Sequence, residues 1–169
     1  MRLAAVSAAA GLLVAGCSGS GSGSPSGGAP PEPDAAAPSS RPSGGQGPLP
    51  TVSATLDGVE LELEVADDEQ ERATGLMRRA SVPAGTGMVF RFGQPVNGRF
   101  YMYDVPIPLR AVFLRDGKVV STVVMPPCEE DEPQECPTYG ADGPFDTVVE
   151  TAPDTLPDIE PGDGYEERG

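Results

Sequence analysis

The segment MPPCEEDEPQECPTY, residues 125–139, closes two cysteines, Cys128 and Cys136, around a run of acid. Two thiols at this spacing can form a disulfide, ligate a soft metal ion or carry redox chemistry. The compartment decides between these outcomes, and the N-terminus points to a compartment. In MRLAAVSAAAGLLVAGC, Arg2 precedes an apolar stretch, Leu3 to Val14, that is too short for a membrane span and has the form of an export signal.

Val14-Ala15-Gly16-Cys17 resembles a bacterial lipobox, which implies cleavage before Cys17 and a diacylglyceryl group on its thiol. Residues 1–16 are then a lipoprotein signal peptide. Residues 17–50 are almost wholly Gly, Ser, Pro and Ala, with nothing to bury, and read as a disordered tether spanning roughly 30 Å. The expected location is the extracytoplasmic face of the cell membrane, with the membrane itself as a partner through Cys17. The chain has three cysteines, so lipidation of Cys17 leaves a pair in an oxidising setting. A Cys128–Cys136 disulfide is the expected state, and closing so short a loop contributes roughly 2.5 kcal/mol in the chain-entropy account. Copper or zinc binding, or redox handling, through the same two cysteines is the alternative.

The rest of the chain offers little conventional catalytic machinery. There is no histidine, which excludes Ser-His-Asp and Cys-His nucleophiles, His-ligated zinc and the commonest general base. The net charge of −15 argues against nucleic acid and anionic lipid as partners. Glu60, Glu62, Glu64, Asp104 and Glu150 read as carboxylates facing away from the core. A carboxylate-dependent envelope glycan hydrolase would draw on two of them, yet their spacing singles out no acid and nucleophile, so they read as a solvated face. Met77, Met88, Met102 and Met125 are soft donors, but each lies in an apolar run where filling a core is the ordinary role. The acidic loop 129–135 and the stretch DGPFD lack the alternation of a calcium loop, and Gly85, Gly87 and Gly98 lack the context of a phosphate cradle. No catalytic residue, metal ligand or cofactor is assigned. Arg72, Arg78, Arg79, Arg91 and Arg99 stand out in so acidic a chain. Most should neutralise nearby acids. Two or three converging beside Tyr101 and Tyr103 would form a pocket for an anionic or sugar-like ligand.

These side chains must be positioned by a small set of elements. Asp57-Gly58 between two alternating runs predicts a hairpin of strands at 51–56 and 59–66. DDEQERATGLMRRA predicts a helix over 68–79, with Asp67 as N-cap, Gln70 completing a capping box, and Arg78 and Arg79 at the C-terminal end. Further strands are predicted at 87–92, 99–103, 109–114, 118–125 and 146–151, with Asp116-Gly117 as a second hairpin turn. The fold class is mostly β, a β-rich α+β domain. The expected architecture is a single compact barrel or bent sandwich over 51–157 with one short helix, followed by an acidic flexible tail at 158–169.

The patches ERATGLMRR, GMVFRF, FYMYDVPIPLRAVFLRDGKVV, MPPC, CPTYG and VVETAPDT occur in an order that resembles the bacterial and archaeal domain-of-unknown-function 192 family. The resemblance covers about residues 52–156. Glu71, Arg72, Gly75, Leu76, Met77, Gly87, Met88, Phe90, Met102, Pro108 and Leu109 stand at the family's signature positions. It implies no established activity. Relatives read W-M-K-N-T before I-P-L and Asp after it, whereas this chain has Tyr103-Asp104 and then Arg110. A charge-exchanged Asp104–Arg110 pair is the expected consequence.

The reading is therefore an exported lipoprotein, monomeric and non-enzymatic. Its β-rich domain binds a small ligand or an envelope partner, with Arg99, Tyr101, Tyr103, Asp104 and Arg110 as contact residues.

Overall fold

The structure, a computed structural model, describes residues 48–168. The lipobox cysteine, the signal peptide and nearly all of the tether lie outside the described residues. Nine strands run as β1 (Thr51–Leu56), β2 (Val59–Ala66), β3 (Thr86–Val96), β4 (Phe100–Tyr101), β5 (Leu109–Arg115), β6 (Lys118–Met125), β7 (Thr138–Tyr139), β8 (Phe145–Thr151) and β9 (Tyr165–Arg168). One short helix, α1 (Glu69–Thr74), lies between β2 and β3.

Seven strands form one sheet in the order β6-β5-β8-β3-β2-β1-β9, and β4 pairs with β7 in a separate two-stranded sheet. In the large sheet β2 and β3 are the parallel pair, and the helix between them supplies the crossover that parallel strands require. The sheet curls into a half-barrel whose two edges meet at one end. Lys118 on β6 bridges Gly164 just before β9, and Val119 N donates to Asp163 O at 3.0 Å. Tyr165 N donates to Gly117 O at 2.9 Å beside this bridge.

Both predicted hairpin turns form, with Asp57, Gly58, Asp116 and Gly117 all at positive φ. The predicted helix is shorter than expected and begins one residue later. Asp68, not Asp67, is the N-cap; its carboxylate accepts from Glu71 N at 2.8 Å, and Glu71 reaches back to Asp68 N. Gly75 ends the helix short of residue 79 at φ 47° and ψ −130°, a conformation that suits glycine, and a Cβ there would come within 3.3 Å of the Phe90 ring. The expected flexible tail is also corrected, because its end forms β9 and pairs with β1, Tyr165 opposite Leu56 and Arg168 opposite Ser53.

Period-two alternation sorts the side chains of the central strands between two apolar layers. Leu56, Leu61, Leu63, Val89, Val112, Leu114, Val119, Val149 and Tyr165 come from all seven strands of the sheet and fill its concave interior. Met88, Phe90, Ala111, Phe113, Phe145 and Val148 point to the opposite face, where Leu76, Met102 and Val105 cover them. Strands β3, β5 and β8 are thus buried on both faces, an environment that ordinarily admits apolar side chains alone. All five phenylalanines of the chain belong to this second layer and meet largely edge to face, Phe90–Phe100 at 5.4 Å and Phe113–Phe145 at 5.0 Å between centroids.

Candidate functional site

A polar residue breaks that second layer. Glu150 on β8 is only 5% exposed and lies opposite Met88 of β3 on one side and Ala111 of β5 on the other. No described residue hydrogen-bonds to its carboxyl or forms an ion pair with it. Burial alone pushes its pKa up to about 8, so the side chain is largely the neutral acid at neutral pH. The solvated-face reading of Glu150 is therefore corrected, although Glu60 and Glu62 do face solvent and Glu64 pairs with Arg79, its Oε2 accepting from Nη2 at 2.6 Å.

The Glu150 side chain lines a cavity of about 240 Å³. One wall is α1 and the turn after it, from Glu69 to Met77; another is β3 through Phe90 and Phe92; the third is the segment Gly98 to Met102. Two arginines stand in this lining. Arg72 Nη1 donates to Asp67 O at 2.6 Å and to Arg91 O at 2.9 Å, and its guanidinium lies 5.2 Å from the centroid of Phe92. Arg99 donates from Nε to Thr138 Oγ1 at 2.8 Å and from Nη2 to Thr138 O at 2.6 Å, which ties β4 to β7. Both guanidinium groups therefore brace the walls through backbone oxygens.

The predicted contact residues divide between places. Arg99 and Tyr101 line the cavity, and Tyr101 is 40% exposed at β4. Tyr103 and Asp104 border a different, polar cleft with Arg78, Cys128 and the acidic residues Glu129 to Asp131. Arg110 is in neither; it donates to Pro153 O at 3.1 Å and Pro157 O at 3.4 Å, pinning the chain after β8. The expected Asp104–Arg110 pair does not form. Asp104, at φ 58°, instead takes Arg78 as its partner, Nε to Oδ2 at 3.0 Å, while Arg78 N donates to Asp104 O. The exposure of both partners makes this pair worth little energetically, and the backbone bond fixes the turn.

Cys128 and Cys136 are joined by a disulfide, with Cα atoms 5.6 Å apart. Neither sulfur is then a thiolate, so the soft-metal reading loses its two anionic ligands. Met88, Met102 and Met125 are fully buried in the second layer, the core role expected of them, whereas Met77 is half-buried against that layer and lines the cavity. Among the described residues no group of three or more His, Cys, Asp or Glu is arranged to hold a metal ion. The disulfide closes immediately before β7, which carries the Thr138 partner of Arg99, so the staple also steadies the β4 wall of the cavity.

Known proteins bear out the fold and leave the site open. A crystal structure of a proposed transcription regulator from Sinorhizobium meliloti 1021 superposes with a TM-score of 0.62 at 25% identity, covering 73% of this chain and 98% of that one. A protein of unknown function from Novosphingobium aromaticivorans DSM 12444 gives 0.59 at 29% identity, covering 79% of this chain and 94% of that one. Among curated proteins none matches. The sequence profile of a family described as uncharacterised ACR matches residues 52–166, from β1 into β9. By that match the chain belongs to the domain-of-unknown-function 192 family.

Proposed function

We propose that this domain is a non-enzymatic small-ligand binding module whose site is the Glu150 cavity. One observation carries the reading: the carboxyl of an almost fully buried residue, with no partner among the described residues, opens onto an aromatic-lined space. A carboxyl set among apolar side chains is poorly hydrated, and a ligand that pairs with it would offset the cost of that burial. Apolar walls with one or two convergent polar groups are the usual makeup of a small-molecule site. A net charge of −15 makes this chain a poor partner for nucleic acid, which weighs against a regulator role like that proposed for the Sinorhizobium meliloti neighbour.

The full chain should be screened by thermal shift against small molecules, beside the Ala73→Trp and Glu150→Gln variants. Ala73 is exposed on α1 and lines the cavity, so tryptophan there obstructs the mouth at little cost to folding. Compounds that stabilise the parent protein should lose at least tenfold in affinity for Ala73→Trp. A compound that stabilises all three proteins equally binds elsewhere and counts against this site.

The hydrolase alternative keeps one specific observation, that Glu69 shares the cavity with Glu150. It requires glycan turnover that Glu150→Gln abolishes, and stoichiometric binding without turnover would dismiss it.

The proposal extends to location. Cys17 carries a lipid anchor and residues 18–50 hold the domain away from the membrane. Cys17→Ser should move the protein from the detergent phase to the aqueous phase on partitioning; unchanged partitioning would refute the anchor.

A further inference from the structure

On the ligand-binding reading of the cavity, on which this inference rests, we propose that the occupant is a small organic cation. It is a primary or secondary amine in protonated form, with its nitrogen paired to Glu150 and its carbon body against Phe90, Phe92 and Phe100. Three observations converge on that charge. Glu150, an acid with no partner among the described residues, lines the site, and the most favourable partner for a buried carboxylate is a hydrogen-bonded cation. The walls are rich in aromatic rings, whose faces attract ammonium groups by the ring quadrupole. The chain carries a net charge of −15, a field that concentrates cations and repels anions at its surface.

Arg72 and Arg99 are the features that would favour an anion. Part of each guanidinium is already committed to the walls, Arg72 Nη1 to Asp67 O and Arg91 O, and Arg99 Nε and Nη2 to Thr138, which weakens them as an anion clamp. The ionisable residues sharing the cavity with Glu150 are Glu69 and Arg72 from the helix, with Arg99 and Tyr101 from the β4 segment. The cross-strand neighbours Met88 and Ala111 are not ionisable.

Binding has a defined proton balance. The neutral Glu150 carboxyl releases its proton to solvent, and the ligand ammonium donates its N–H bonds to the carboxylate so formed. Because burial holds that proton up to about 8, amine affinity should rise with pH by nearly tenfold per unit below that point. A neutral ligand accepting a hydrogen bond from the acid would show no such rise.

The test uses the full chain and three probes that share one ring: benzylammonium, benzyl alcohol and benzoate. Binding is followed through the NMR signals of Gly98 and Met102, both at the cavity wall, from about pH 5 to about pH 7. Benzylammonium should bind tightest, gain nearly tenfold per pH unit, release one proton, and lose at least tenfold in Glu150→Gln. Tighter binding of benzoate or benzyl alcohol at those signals, or a benzylammonium affinity independent of pH, overturns the cation while leaving a ligand site. If none of the three probes moves those signals, the ligand-binding reading fails and the cation with it.

Discussion

Raising the pH from about 5 to about 9 lowers the stability of the protein, measured against its own Glu150→Gln variant, by several kcal/mol. Glu150 is the cause. Its ordinary pKa of 4.5 is pushed up to about 8 by burial, so the folded state holds this proton more tightly than the unfolded chain does. The resulting stability is fully present below about pH 4.5, declines as the pH rises through the window, and is gone above about 8. At 1.36 kcal/mol per unit of pKa shift the loss is on the order of 5 kcal/mol, and relaxation or water entry around the charge makes this an upper figure. Glutamine keeps the shape and cannot ionise, so other titrating groups largely cancel in the comparison. Urea unfolding of both proteins across that range is the check. Parallel curves would mean that Glu150 ionises freely in the folded protein.

Gly87→Ala should destabilise the domain by about 3 kcal/mol or more, at or beyond the upper end for overpacking. A Cβ built at Gly87 lies 2.2 Å from the carbonyl oxygen of Glu150 and 3.1 Å from Thr151 Cγ2. Backbone atoms cannot yield as a flexible side chain would. Strands β3 and β8 must separate where Gly87 faces Thr151 and Met88 faces Glu150, which disturbs the cavity floor as well as the ladder. Gly93 is the control, since it also lies on β3 but has nothing within 4 Å of its Cβ position. Gly93→Ala should be neutral or mildly stabilising. Equal unfolding midpoints for the two alanine variants would contradict the close approach of β3 and β8.

The contrast between these residues shows which parts of the structure the sequence reveals. Hairpins set by Asp57-Gly58 and Asp116-Gly117 are legible because a two-residue turn fixes both register and alternation locally. The strand at 165–168 is not, since YEER has no apolar alternation and is held at the sheet edge by backbone pairing with β1. The cap at Asp68 differs from the expected Asp67 because either aspartate has an acid or amide three residues on, and only the fold chooses between them.

Glu150 eluded the alternation argument for a more general reason. A charged residue in a strand reads as solvent-facing when the sheet has one wet face. Here β8 runs Val148, Val149, Glu150, Thr151, all buried, between apolar layers on both sides. The adjacent valines are the sequence signal of a strand covered twice, and an acid continuing such a run has no wet face to occupy. Arg99 and Tyr101, singled out by residue type, do line the cavity. That Arg110 turns instead toward Pro153 and Pro157 depends on a loop path that no local pattern encodes.

The most direct measurement is the carboxyl-carbon NMR titration of Glu150 in the full-length protein. A midpoint near 8, falling when benzylammonium is added, is the result expected of a buried, unpaired acid awaiting a cation. A midpoint near the ordinary 4.5, unmoved by the amine, would show a hydrated or partnered carboxylate and contradict the site.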